Sequence, residues 1–242
     1  MNIFETWIAN KPIAHRGLHD AETPELSLAS FIKAIDNNYA IEIDLRALAD
    51  GTIVVFHDET LGRMTGKDGY LANLKYEDIR DLKLAKSNEH IPTLEQTLKI
   101  VNGQTPILIE IKNMGKVGEF EKAVYKILQN YKGEYAVQSF NPYSLEWFKI
   151  NAPHVKRGQV ASSMKNSDLS FFKRIALKHM SLNKKVSEPN FIAYRTEDLP
   201  NRYVKKYKNL PLLAWCVRTE EEYDRVSKIC DNVIFEHFKP IV

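Results

Sequence analysis

A chain of 242 residues, 44% hydrophobic and 27% charged, has the make-up of a globular protein and can bury a core without disulfide staples. A net charge of +3, with no basic tract interleaved with aromatics, argues against a nucleic-acid partner, and no window is apolar for the length that stable membrane insertion needs. Two cysteines, Cys216 and Cys230, make no disulfide framework, and the N-terminal residues lack a basic segment followed by a long apolar run, so the protein is expected to be cytoplasmic.

In chain order, Lys11–His15 reads as a first strand carrying His15 at its end, followed by Arg16-Gly17. Pro24-Glu25 leads into a helix with Leu28, Phe31, Ile32 and Ile35 at helical spacing, capped by Thr23 or Ser27 and stopped by Asn37-Asn38. Ile41–Leu45 is the second strand. After the turn signal Ala49–Thr52, Ile53–Asp58 is the third. The gap between them is too short for a helical crossover, which leaves a hairpin or an unusually tight parallel link. Residues 60–92 read as an excursion over one mouth of the fold, with a short helix at Tyr76–Leu82.

Thr93 caps a helix bearing Leu94, Leu98 and Val101, and Ile107–Ile111 is the fourth strand. The remainder alternates: helix Phe120–Tyr131, strand Tyr135–Ser139, helix Tyr143–Ile150, strand Gly158–Ala161 and a helix near Leu169–Lys178. A weakly defined stretch, Met180–Tyr194, holds a strand at Phe191–Tyr194. Helix Leu199–Tyr207, strand Leu212–Val217, helix Glu220–Lys228 and strand Asn232–Phe235 complete the chain. About eight β–α units in roughly 250 residues predict an α/β fold, a TIM (β/α)8 barrel, as one domain over residues 1–242. The irregular points are the join between strands two and three and a small insertion at about 60–92. A doubly wound open sheet competes, but no Gly-x-Gly-x-x-Gly or Walker loop is present.

Two strands carry the chemistry. Residues at i and i+2 share a strand face, so Glu42 and Asp44 point one way and Ile41, Ile43 and Leu45 the other. Glu110 and Lys112 repeat the pattern, flanked by Pro106–Ile109 and Ile111. Taken singly, each carboxylate is as easily an ordinary salt-bridge partner at the sheet rim. Together, on such apolar strands, they call for a cation, because unpaired buried carboxylates are expensive. Oxygen donors suit a hard divalent ion, Mg²⁺ or Ca²⁺.

Active residues of such a barrel sit at the C-terminal strand ends. There lie His15 and Arg16, Glu42 and Asp44, His57, Glu110 and Lys112, Gln138 and Ser139, and Trp215. A divalent ion with Arg16 and Lys112 makes a site for an oxyanion, with phosphate the obvious candidate. Two histidines can serve as base and acid on opposite sides of phosphorus, which describes cleavage of a phosphodiester.

The chain resembles the glycerophosphodiester phosphodiesterase family. The resemblance rests on His15-Arg16-Gly17, Pro24-Glu25, Glu42-x-Asp44, Asp50-Gly51 with Val54-Val55-x-His57-Asp58, Ile91–Leu94, Glu110-x-Lys112, Gln138–Phe140 and Ala214-Trp215. It implies a TIM barrel and metal-dependent hydrolysis of a glycerophosphodiester to glycerol 3-phosphate and an alcohol. It also implies acid–base roles for His15 and His57, and one divalent cation on Glu42, Asp44 and Glu110. Phosphate contacts fall to Arg16 and Lys112, and a place at the site edge to Glu25. Trp215 reads as an apolar wall for glycerol or as core packing. The chain departs from the family pattern at Leu26, at Cys216–Arg218 and at Phe235-Glu236, which bears on substrate preference. A lysophospholipase D would need an apolar channel, for which Leu71, Leu74, Tyr76 and Ile79 are candidates. A barrel that only binds phosphorylated ligands would show no turnover.

Overall fold

The computed structural model describes residues 2–113, 115–163 and 171–240. Among them the strands are Ile13–Ala14 (β1), Ala40–Ala47 (β2), Ile53–Val55 (β3), Ile107–Ile111 (β4), Tyr135–Ser139 (β5), Lys156–Ala161 (β6), Phe191–Arg195 (β7), Leu212–Val217 (β8) and Asn232–Phe235 (β9). The α-helices are Trp7–Asn10 (α1), Leu28–Asp36 (α2), Gly62–Thr65 (α3), Tyr76–Ile79 (α4), Leu94–Val101 (α5), Glu119–Leu128 (α6), Pro142–Asn151 (α7), Phe171–Lys178 (α8) and Glu220–Val226 (α9). The fold is a TIM (β/α)8 barrel, with β3 as an added strand. Backbone contacts divide the chain into a unit of residues 14–135 and a unit formed by residues 1–13 and 136–242.

In the 14–135 unit, β2 is buried along Ala40–Asp44 and beyond to Leu45, on both faces. It runs parallel to β4 in a register that sets Glu42 opposite Leu108 and Asp44 opposite Glu110. On its other side β2 pairs antiparallel with β3, Leu45 with Val55 and Ala47 with Ile53. The open choice between strands two and three is therefore settled as a hairpin. Its turn uses Gly51 at φ +84°, which favours glycine, and Asp50 Oδ1 accepts from the Thr52 amide at 3.0 Å. The Phe56 amide continues onto the Asp44 carbonyl at 2.9 Å, which brings His57 to the end of the acidic strand.

Helix α2 starts at Leu28, with the Ser27 hydroxyl accepting from the Ser30 amide. Ser27, rather than Thr23, is thus the cap. Thr93 and Gln96 form a capping box on α5, and Asn102 ends it at φ +45°. The 60–92 excursion has its own core: Leu61, Met64, Leu71, Ile79, Leu84 and Ile91 pack with Leu48, Val54 and Phe56. Leu74 and Tyr76 lie against that cluster, so the residues that could have lined a lysolipid channel are committed to packing.

In the other unit, β5 to β9 are successive parallel neighbours. Asn232 on β9 donates to the carbonyls of Ile8 and Lys11 at 2.9 and 2.8 Å, tying the N-terminal segment with α1 to the sheet, a link with no local sequence signal. The expected helix Leu199–Tyr207 is corrected to two short 3-10 turns, Thr196–Asp198 and Val204–Tyr207. Leu199 precedes Pro200 and is extended, and the Asn201 side chain accepts from the Tyr203 and Val204 amides, so the turn restarts there. The expected start of α8 at Leu169 lies outside the described residues. No described helix is long and apolar enough to cross a membrane.

Candidate active site

Alternation on β2 does what the residue pattern requires. Ile41, Ile43 and Leu45 are fully buried on one face, and Glu42 and Asp44 occupy the other at 1% exposure each. Such burial separates these carboxylates from ordinary rim groups. Their oxygens and one from Glu110 lie within 4.8 Å of one another.

Two cations reach this acid cluster. Lys112 Nζ stands 3.0 Å from Asp44 Oδ1 and 2.7 Å from Glu110 Oε1. Arg16 Nε lies 3.3 Å from Asp44 Oδ2, its backbone N–H donates to Glu42 Oε2 at 3.0 Å, and its Nη1 donates to Glu25 Oε1 at 2.8 Å. Both Asp44 oxygens nonetheless lack a well-aligned hydrogen-bond donor among the described residues, while Glu110 Oε1 has the Lys112 ammonium. The Asp44 oxygens have Coulombic partners without directed bonds, an arrangement that costs stability in a buried site. An all-oxygen set with undonated lone pairs fits a hard cation, so the residues present suit a divalent ion.

Proton affinities follow from this crowding. Burial, and then the neighbouring Asp44 and Glu110, push Glu42 well above the ordinary carboxylate range. Burial also raises Glu110, with Lys112 opposing. Asp44 is driven up by burial, but Lys112, His57, Arg16 and His15 outweigh it and hold its carboxyl below the usual range. Asp44 thus lies within electrostatic reach of both imidazoles. Burial lowers Lys112, yet Asp44 and Glu110 prevail and keep its ammonium charged.

His57 Nδ1 is 2.7 Å from Asp58 Oδ1. An ionised carboxylate only accepts, so Nδ1 carries the hydrogen and Nε2 keeps its lone pair. Burial is the largest influence on His57 and takes its pKa down to about 4, with Asp44 opposing and Lys112 reinforcing. The imidazole is neutral at pH 7. His15, half-buried, directly follows β1.

Gln138 and Trp215 belong to the other unit. Gln138 is 2% exposed on β5, and its amide oxygen has no donor among the described residues. Trp215 on β8 donates from Nε1 to the Ala193 carbonyl at 3.1 Å, and Phe140 meets its ring edge-on at 5.6 Å. Arg218 pairs with Glu236 at 2.7 Å, so two of the departures from the family pattern occur as partners. Leu26, another departure, is buried at φ +56°, a left-handed conformation that asparagine tolerates better than leucine.

Three residues have roles that the sequence pattern did not assign. Arg46 continues the Glu42, Asp44 alternation by one step, and its Nε donates to the His57 carbonyl at 2.7 Å. Period-two counting would have found it. Asp58 is adjacent to His57 and takes its Nδ1–H. Arg63, on α3, bonds to both Asp58 and Glu25, a bridge between distant positions that leaves no local pattern.

Comparison with known proteins points to one family. A model of the "Glycerophosphoryl diester phosphodiesterase family" matches residues 15–238. A glycerophosphodiester phosphodiesterase of Caldanaerobacter subterraneus subsp. tengcongensis is 35% identical over 158 residues, which cover 60% of this chain and 64% of that protein, just under two thirds of its length. Glycerophosphodiester phosphodiesterase 1 of Bos taurus is 29% identical over 241 residues, covering 87% of this chain and 72% of that protein. Among solved structures, an Oleispira antarctica phosphodiesterase in complex with the product sn-glycerol-3-phosphate matches with a TM-score of 0.79 at 22% identity, covering 93% of this chain and 92% of that one.

Proposed function

This chain belongs to the glycerophosphoryl diester phosphodiesterase family, and on that premise we propose that it is an enzyme hydrolysing glycerophosphodiesters to sn-glycerol 3-phosphate and an alcohol. The observation that carries the reading is the buried Glu42, Asp44 and Glu110 cluster, its Asp44 oxygens under-donated and flanked by Lys112 and Arg16. The product in the Oleispira neighbour supports the substrate class. The family match spans both units, which supports one catalytic domain.

Glu42, Asp44 and Glu110 would hold one divalent cation, Mg²⁺ or Ca²⁺, which when bound supplies polarisation of a phosphoryl oxygen. Arg16 and Lys112 bind the remaining phosphate charge, and Glu25 fixes the Arg16 fork. His57, neutral and oriented by Asp58, takes at Nε2 the proton of the nucleophile: either a water, which gives sn-glycerol 3-phosphate directly, or the substrate's own glycerol 2-hydroxyl, which gives a cyclic phosphate that a water then opens to sn-glycerol 3-phosphate. The new O–P bond forms as the P–O bond to the head group breaks. His15 delivers a proton to the departing alkoxide, which leaves as the alcohol. A lysophospholipase D would need a channel whose candidate residues serve instead as core.

Release of sn-glycerol 3-phosphate from glycerophosphocholine and glycerophosphoethanolamine tests the proposal. His15→Ala and His57→Ala should each lose about 10²- to 10⁴-fold in kcat, and EDTA should abolish turnover until Mg²⁺ or Ca²⁺ is restored. Wild-type rates in both variants, or full activity in EDTA, would overturn the assignment.

A further inference from the structure

The 60–92 excursion has no part in the chemistry above, yet it sends one side chain toward it. Leu61, just before α3, and Met64 on it are buried in the excursion's core at 2% and 8% exposure, and Arg63 between them projects away from it. The short helix is closed by the Gly66 amide on the Gly62 carbonyl at 2.9 Å, with Gly66 at φ +68°. The Thr65 amide and hydroxyl both donate to the Leu61 carbonyl, at 3.0 Å each. Arg63 is therefore launched from a fixed base.

Its guanidinium makes three hydrogen bonds to two carboxylates. Nε donates to Asp58 Oδ2 at 2.6 Å, Nη1 to Glu25 Oε2 at 3.0 Å and Nη2 to Glu25 Oε1 at 2.7 Å. The other Asp58 oxygen takes the His57 Nδ1–H, and Glu25 Oε1 also takes Arg16 Nη1. Arg16 in turn reaches Asp44 and Glu42. Directed hydrogen bonds thus run from the His57 imidazole through Asp58, Arg63 and Glu25 to Arg16, which bonds Glu42 through its backbone N–H and faces Asp44 with Nε at 3.3 Å as an ion pair.

We propose that Arg63 is a positioning residue, a clamp that fixes the His57 ring and the Arg16 fork relative to each other. The alternative is a surface ion pair of little worth. Geometry argues against that. The pair with Glu25 is two-pronged, both carboxylates are mostly buried at 13% and 21% exposure, and all three bonds join the cation to a carboxylate oxygen at 3.0 Å or less. The three N–H vectors that Arg63 sends to Glu25 and Asp58 come from one planar group, which a lysine cannot reproduce. The Arg63 contacts also hold both carboxyls below their ordinary range, so both stay acceptors at neutral pH.

The kinetic half of the inference rests on the functions assigned to His57 and Arg16; its geometric half does not. Arg63→Ala and Arg63→Lys should be compared by steady-state kinetics on glycerophosphoethanolamine and by NMR of protein labelled with ¹⁵N at histidine. The Ala variant should lose about 10- to 100-fold in kcat, with KM changed less than about threefold, as expected when reacting groups drift by a fraction of an ångström. The Lys variant should recover only part, and added guanidinium should rescue the Ala variant. The His57 Nδ1–H resonance should shift or broaden in both variants, in the absence of substrate. An unchanged His57 resonance with an unchanged kcat would overturn the proposal. If the wild-type enzyme turns over no diester, the NMR arm still decides the clamp while the substrate reading fails separately. If the Ala variant does not fold, the Lys variant carries both readouts.

Discussion

Two clusters of ion pairs, one on each unit, use nearly the same residue types to different ends. On β2 and β4, the buried Glu42, Asp44 and Glu110 meet Lys112 and Arg16, whose side chains are 17% and 15% exposed, with both Asp44 oxygens lacking aligned donors. Beyond β7, β8 and β9, Arg195 meets Glu197 at 2.9 Å, Glu197 meets Arg218 at 3.5 Å and Arg218 meets Glu236 at 2.7 Å. There, two cations balance two anions, three of the four side chains are 40–45% exposed, and none of the carboxylate oxygens is left buried without a donor. Counting charges does not distinguish the two. Burial and unmet lone pairs do, because solvent screens the second cluster and cannot reach the first.

The sharpest way to break this contrast is Lys112→Met. Removing a buried cation leaves Asp44 and Glu110 uncompensated, and the expected loss is about 3–5 kcal/mol of stability, read from urea midpoints. Mg²⁺ or Ca²⁺ should then raise Tm more in the variant than in the wild type, since the ion replaces the missing charge. An equal rise in both would argue that the acids do not share one ion.

A smaller effect comes from pH. The His57 pKa of about 4 lies below the ordinary 6.5. Between those values the unfolded chain binds a proton that the folded chain does not, so stability from this group is complete above pH 6.5 and is lost as pH falls toward 4. Urea midpoints of the wild type should therefore fall more steeply over that window than those of His57→Gln. Parallel curves would show that the imidazole is not held neutral. The least effect belongs to Arg218→Ala, expected within about 1 kcal/mol and to shrink further with added salt, as for an exposed pair. A loss as large as that of Lys112→Met would erase the distinction between the clusters.

Legibility from residues alone tracks the range of the interactions. Faces of β2 and β4, the Thr93 cap and the alternation of strands and helices depend on neighbours two to four positions apart, so they could be read directly. The helix expected over Leu199–Tyr207 failed because local chemistry at Pro200 and Asn201 outweighed a faint apolar pattern. His15, His57 and the three acids could be singled out by residue type and strand position, whereas Asp58 and Arg63 owe their place to contacts.

What the amino-acid order determined by itself is which side chains share a strand face, because that follows from the pleat of a single strand. Only the tertiary structure decided that Asp44 stands beside Glu110, that β2 and β3 close as a hairpin, and that Arg63 spans Glu25 and Asp58. Those relations join segments up to 66 residues apart, as Asp44 and Glu110 are, and their geometry is set by register and packing between elements, for which no stretch of sequence holds a local code.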